Sequence, residues 1–222
     1  MLVLSSLLAL AIPAVLAQDP HNLTTLTGTW SSGARAVITG PGFADPANMS
    51  FTPPQNTGVS YSFTDDMHYE IARYRFVSNG TNPACIRGVL QWTHGNYSLL
   101  DNGSILMVPF LDGFQQIQDP CAPESNFIDP GYNYTELYQS WRIFQDPVTG
   151  YKLHLFEADG TPVAPQFLVA TSPNMLPTTT LRKQPAPPMT TTNGFISGGG
   201  NSTKRGLDAM LHQKRWTWTW GF

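Results

Sequence analysis

Residues that could do chemistry are few in this chain and lie far apart. Glu70 and Glu157, both on predicted strands, are the carboxylates best placed to face each other. Two carboxylates about 5–10 Å apart are what glycoside hydrolysis requires. With 15 acidic residues to choose from, however, such a pair is easily nominated. The histidines His21, His68, His94, His154 and His212 are scattered, each reading as a core or surface histidine rather than a ligand. No Gly-x-Ser-x-Gly elbow, glycine-rich phosphate loop or His-Glu-x-x-His helix occurs. Asp65-Asp66 is turn chemistry. No catalytic, cofactor-binding or metal-binding residue is therefore assigned, and no cofactor is expected.

Other residues point to covalent modification. Asn-x-Ser/Thr occurs at Asn22, Asn48, Asn79, Asn96, Asn102, Asn133 and Asn201. Chance would supply about two such sites, so the set reads as N-glycosylation of an exported protein. The start, "MLVLSSLLALAIPAVLA", has the apolar run and small residues of a secretory signal peptide, residues 1–17. In an oxidising compartment the only two cysteines, Cys85 and Cys121, read as one disulfide. Charged residues make up only 12% of the chain, and glycans would solubilise a surface so poor in charge. The net charge of −3 offers no basic patch to nucleic acid.

The elements that would position these residues are strands. "GVSYSF" runs into "HYEIARYRFVS" across Thr64-Asp65-Asp66, and "GVLQWTHGNYSLL" turns at Asp101-Asn102-Gly103 into "SILMVPF". "YQSWRIF" and "YKLHLFEA" flank Asp146 to Gly150, and "APQFLVAT" closes the set. A helical turn is expected only at the start of "YTELYQSWRIF". At 222 residues this suits one domain. The fold class is all-β, an antiparallel up-and-down meander closed as a barrel over Leu26 to Thr171. Gly28-Thr29-Trp30 resembles the opening of calycin and lipocalin barrels, where the glycine bends the first strand and the tryptophan plugs the floor. Trp30 is accordingly expected to be buried, with Arg142 or Arg182 stacked on it.

After Pro177 the composition turns to Pro, Thr and Gly with little to bury. The domain is taken as residues 18–183, followed by a linker at 184–206 and a Trp-rich tail at 207–222 that is expected to be disordered. The aromatic run from Arg215 to Phe222 has the character of a membrane-interface belt, with only eight positions where a span needs about 20.

Longer blocks carry a family resemblance. "TGPGFADPANMSFT", "YEIARYRF", "DGFQQIQDPC", "DPVTGYKLHLF", "APQF" and "SPNMLP" resemble the fungal Reversal-of-TOR-lethality family, over Thr24 to Lys183. The cysteine of "IQDPC" is the family position at Cys121. The resemblance implies an endoplasmic reticulum glycoprotein, anchored by a single C-terminal span, with no catalytic residues. It implies a molecular chaperone for nascent secretory and cell-wall proteins, needed for β-1,6-glucan and cell-wall biogenesis. Other lumenal chaperones would be further partners. The implied membrane anchor should follow Lys214-Arg215-Trp216, where the sequence stops, so the alternatives are a soluble protein or a sequence ending short of its anchor. A small-ligand calycin barrel and a cell-wall glycan enzyme are the rival functional classes.

Overall fold

The computed structural model describes residues 25–183, and all the regular elements in this stretch are strands. They are β1 (Gly28–Ser32), β2 (Ala44–Asp45), β3 (Ser50–Phe51), β4 (Gly58–Phe63), β5 (His68–Val77), β6 (Arg87–Leu99), β7 (Ile105–Pro109), β8 (Phe114–Gln118), β9 (Asn126–Asp129), β10 (Glu136–Asp146), β11 (Gly150–Glu157) and β12 (Gln166–Ala170). The helical turn expected before β10 is absent: Glu136 is already in the strand, paired with Met107 of β7. The signal peptide, the linker at 184–206, the tail at 207–222, and Asn22 and Asn201 lie outside the described residues.

Ten strands form one antiparallel sheet, and β2 with β3 forms a small separate hairpin. Turn chemistry sets several connections. Asn102 Oδ1 accepts the Ser104 amide, and Gly103 takes the positive φ that closes the β6–β7 hairpin. Asp146 Oδ1 likewise accepts the Val148 and Thr149 amides ahead of Gly150. β6 is the longest strand and has three partners. One edge pairs with β5 over Arg87 to Asn96, while the other holds β8 at Gly88 to Trp92 and β7 at Gly95 to Leu99. Because β5 also pairs with β4, and β1 joins β4 to β12, the pairings return on themselves. Eight strands follow one another round that circuit in chain order, with β8 and β9 branching from β6.

Alternation divides the side chains into two cores. The first takes residues from all eight strands of the circuit, among them Trp30, Phe63, Ile71, Met107 and Leu155. The second lies on the opposite face, where Val37, Phe43, Leu90, Trp92 and Phe114 pack under the β2–β3 hairpin. Phe51 of that hairpin reaches Phe114 with ring centres 4.5 Å apart. Each fully buried large apolar side chain contributes roughly 1.5–3 kcal/mol. Cys85 and Cys121 are joined, with Cα atoms 5.6 Å apart, which ties the β5–β6 loop to the β8–β9 loop.

Gly28 and Trp30 open the fold as a unit. Gly28 has φ +129°, and a Cβ there would lie 2.7 Å from the Ala170 carbonyl oxygen across the β1–β12 pairing. Only glycine allows that approach. Trp30 is fully buried and its indole N–H donates to the Leu26 carbonyl at 2.8 Å. The expected arginine stacking does not occur. Arg142 sits on the solvent side of β10, and Arg182 donates instead to the carbonyls of Asp112, Gly113 and Pro130.

Candidate functional site

The two carboxylates nominated from sequence do not form a pair. Glu157 alternates with Leu153 and Leu155 of the first core, whereas Glu70 alternates with Ala72 of the second. They project from opposite faces of the sheet. Glu70 is fully buried, and each carboxylate oxygen accepts a backbone amide at 2.6 Å, Oε1 from Gly40 and Oε2 from Leu176. Burial pushes its carboxyl above the ordinary range, against the pull of those two amides. Glu70 tethers the backbone at Gly40 and Leu176.

It belongs to a larger arrangement that sequence reading missed. Thr29, Ser62, Glu70 and His94 stand in register on β1, β4, β5 and β6 and form a buried polar row across the outer face. His94 continues the row to Asp112, with Nε2 2.9 Å from the carboxylate. Across this row runs the segment at 171–183, which makes no strand pairing of its own. The Asn174 amide donates to Thr29 Oγ1, that of Leu176 to Glu70 and that of Leu181 to Asp112. The side chains of Leu176 and Leu181 pack on the second core. Composition reads Leu181 and Arg182 as the approach to a linker; the structure docks both.

The circuit's other face holds a second charged group. Arg73 and Glu136 meet through two hydrogen bonds of 2.6 Å, and Tyr132 and Tyr138 also accept from the guanidinium, at 3.0 and 3.1 Å. Burial would raise the Glu136 carboxyl, but Arg73 outweighs it and holds Glu136 below its ordinary value. Each ion is thus satisfied by the other. Trp30, Tyr61, Phe63, Tyr69 and Met107 are buried together in the first core, where a small-ligand reading needs an open cavity. A surface depression lies elsewhere, lined by Ile38, Phe43, Pro53 and Pro54. No group of three or more metal-ligating side chains occurs among the described residues.

The described sequons sit mostly at the surface. Asn48, Asn79, Asn96 and Asn102 are exposed. Asn133 is half-buried, with its Oδ1 accepting the Gly113 amide at 2.8 Å. Large apolar side chains are also left in water. Phe76 (61% exposed) and Ile86 (48%) lie near one end of the β5–β6 pair, and Met67 and Leu111 (59%) are held on connecting segments in left-handed backbone. Bulky residues seldom adopt that conformation.

The described residues therefore form an all-β domain joined by one disulfide, with buried charges hydrogen-bonded within the fold and apolar groups left exposed. The sequence pattern of the Rot1 family, described as "Chaperone for protein-folding within the ER, fungal", matches residues 26–219. Proteins named rot1 are similar to this chain. That of Botryotinia fuckeliana is 42% identical over 78% of the chain and 69% of its own length. That of Sclerotinia sclerotiorum is 44% identical over 72% of the chain and 61% of its own length, and that of Schizosaccharomyces pombe 46% identical over 70% and 68%. The chain spans about two thirds of these relatives. No solved structure matches it. The chain belongs to the Rot1 family. No helix among the described residues is long and apolar enough to cross a membrane.

Proposed function

We propose that this protein is a chaperone of the endoplasmic reticulum lumen that binds nascent secretory and cell-wall proteins, and that cell-wall biogenesis, β-1,6-glucan included, depends on it through those clients. Membership of a family described as a folding chaperone carries the reading. Exposed Phe76 and Ile86, which lie near the same end of the β5–β6 pair, are consistent with it as apolar contact points for unfolded chains. The eight-stranded circuit is a barrel in the calycin manner, opened by Gly28 and Trp30, and serves as a scaffold rather than a ligand container. Glycans at Asn22, Asn48, Asn79, Asn96, Asn102, Asn133 and Asn201 keep it soluble, and a membrane anchor beyond the domain holds it near emerging chains.

Photo-crosslinking in cells tests this, with a crosslinking amino acid in place of Phe76. Adducts should comprise many secretory polypeptides, appear in a short pulse and disappear during the chase. One discrete adduct, stable through the chase, would contradict the reading.

A further inference from the structure

We infer that the outer face of β1, β4, β5 and β6 is a groove for extended polypeptide, occupied at rest by the protein's own segment at 171–183. The inference rests on the chaperone reading and gives it a place. In an ordinary sheet, a passing segment finds its hydrogen bonds in the backbone of an edge strand. Here three amides of the segment, from Asn174, Leu176 and Leu181, are accepted by side chains of the buried row, Thr29, Glu70 and Asp112. Nearly every residue of any polypeptide carries a backbone amide, so such acceptors recognise main chain without regard to sequence. Two of them are carboxylates, which stay buried only when N–H donors reach them. The segment supplies one donor to each carboxylate, beside Gly40 at Glu70 and His94 at Asp112.

Apolar selectivity is supplied alongside. Leu176 and Leu181, five positions apart, pack on the cluster of Val37, Phe43, Leu90, Trp92 and Phe114. The segment can also leave without unpairing a strand, giving up the hydrogen bonds of Asn174, Leu176, Leu181 and Arg182. β12 ends at Ala170, and residues 171–183 are half-buried or exposed and contribute no strand to the sheet. An unfolded client with apolar side chains at similar spacing offers the same amides and the same side chains. It would displace the segment rather than find an empty site.

Hydrogen exchange on the full chain tests this, with reduced, carboxymethylated α-lactalbumin as a permanently unfolded probe. Saturating probe should speed exchange across 171–183 by about tenfold or more and leave β10 and β11 unchanged. Probe that binds, as read by anisotropy, without altering the segment overturns the groove and leaves the chaperone reading standing. Probe that fails to bind at all overturns both. As a second arm, Leu176→Ser with Leu181→Ser in the full chain should raise probe affinity about fivefold or more, by weakening the resident segment. A free peptide of residues 171–183 should compete with the probe, and the same peptide with both leucines changed to serine should not. A folded double variant with unchanged or lower affinity overturns the proposal. Should that variant fail to fold, exchange on the unaltered chain still decides.

Discussion

Arg73 and Glu136, 63 residues apart in sequence, meet face to face through two hydrogen bonds of 2.6 Å. The pair joins β5 to the start of β10 beneath a ring of tyrosines. Breaking it leaves one buried charge unanswered. Glu136→Gln or Arg73→Met should each cost about 3–5 kcal/mol, read as a lowered urea midpoint. Changing both together to apolar residues of similar volume should cost much less than the sum. Additive losses would show that the two side chains act independently.

The pH dependence of stability follows from three buried carboxyls. Glu136 and Asp112 are held below their ordinary values of 4.5 and 3.8: burial opposes this, but Arg73 outweighs it at Glu136, and His94 with the Leu181 amide at Asp112. Their contribution is complete above those values and is lost as pH falls through the folded ones. Glu70, pushed up by burial, acts in reverse: its contribution is complete below 4.5 and is lost as pH rises through its folded value. Below pH 4.5 Glu70 no longer contributes a change, so the two lowered carboxyls predict an acid-side loss of stability beginning near pH 4.5, which Glu136→Gln should flatten. Urea midpoints between pH 3 and 7 check this, and an acid limb unchanged in the variant would count against it.

How much of this was legible in the sequence depended on how local the signal was. The turns at Asp101-Asn102-Gly103 and at Asp146 to Gly150 announce themselves because Asn, Asp and Gly act on their own backbone. Gly28 and Trp30 were read for the same reason: one residue needs its backbone freedom and the next its burial. Arg73 could be seen to share a face with Tyr69 and Ile71, but nothing nearby says that Glu136 answers it. β8 and β9 escaped because "QQIQ" lacks an apolar alternation, and their strand character comes from pairing with β6. Residues 178–183 read as the approach to a linker because what docks them includes the Leu181 backbone amide, which composition does not record.

Disulfide removal should be costly. Cys85 and Cys121 close a loop of 36 positions. The chain-entropy account puts their contribution at about 3–4 kcal/mol. Cys85→Ser with Cys121→Ser should lower the thermal midpoint and speed hydrogen exchange first in β8 and β9, whose loop loses its tie. Uniform exchange changes throughout the domain would show that the bond does not act locally.

Glycosylation should give a large mobility shift on endoglycosidase treatment, and removing sequons should not have equal effects. Asn96→Gln alters an exposed side chain, whereas Asn102→Gln moves the oxygen that accepts the Ser104 amide. Asn133→Gln also moves the oxygen that accepts the Gly113 amide. Its thermal midpoint should fall by the equivalent of about 1 kcal/mol even in enzymatically deglycosylated protein. Equal midpoints for deglycosylated Asn96→Gln and Asn133→Gln would refute a structural role for Asn133.

The central claim is that this domain handles unfolded polypeptide, and suppression of aggregation tests it most directly. Full-length purified protein, without ATP, should hold a chemically denatured client in solution in proportion to its concentration. Replacing Phe76 and Leu111 with serine should weaken that activity while the thermal midpoint stays unchanged. Folded wild-type protein that leaves client aggregation untouched at several-fold molar excess would contradict the account.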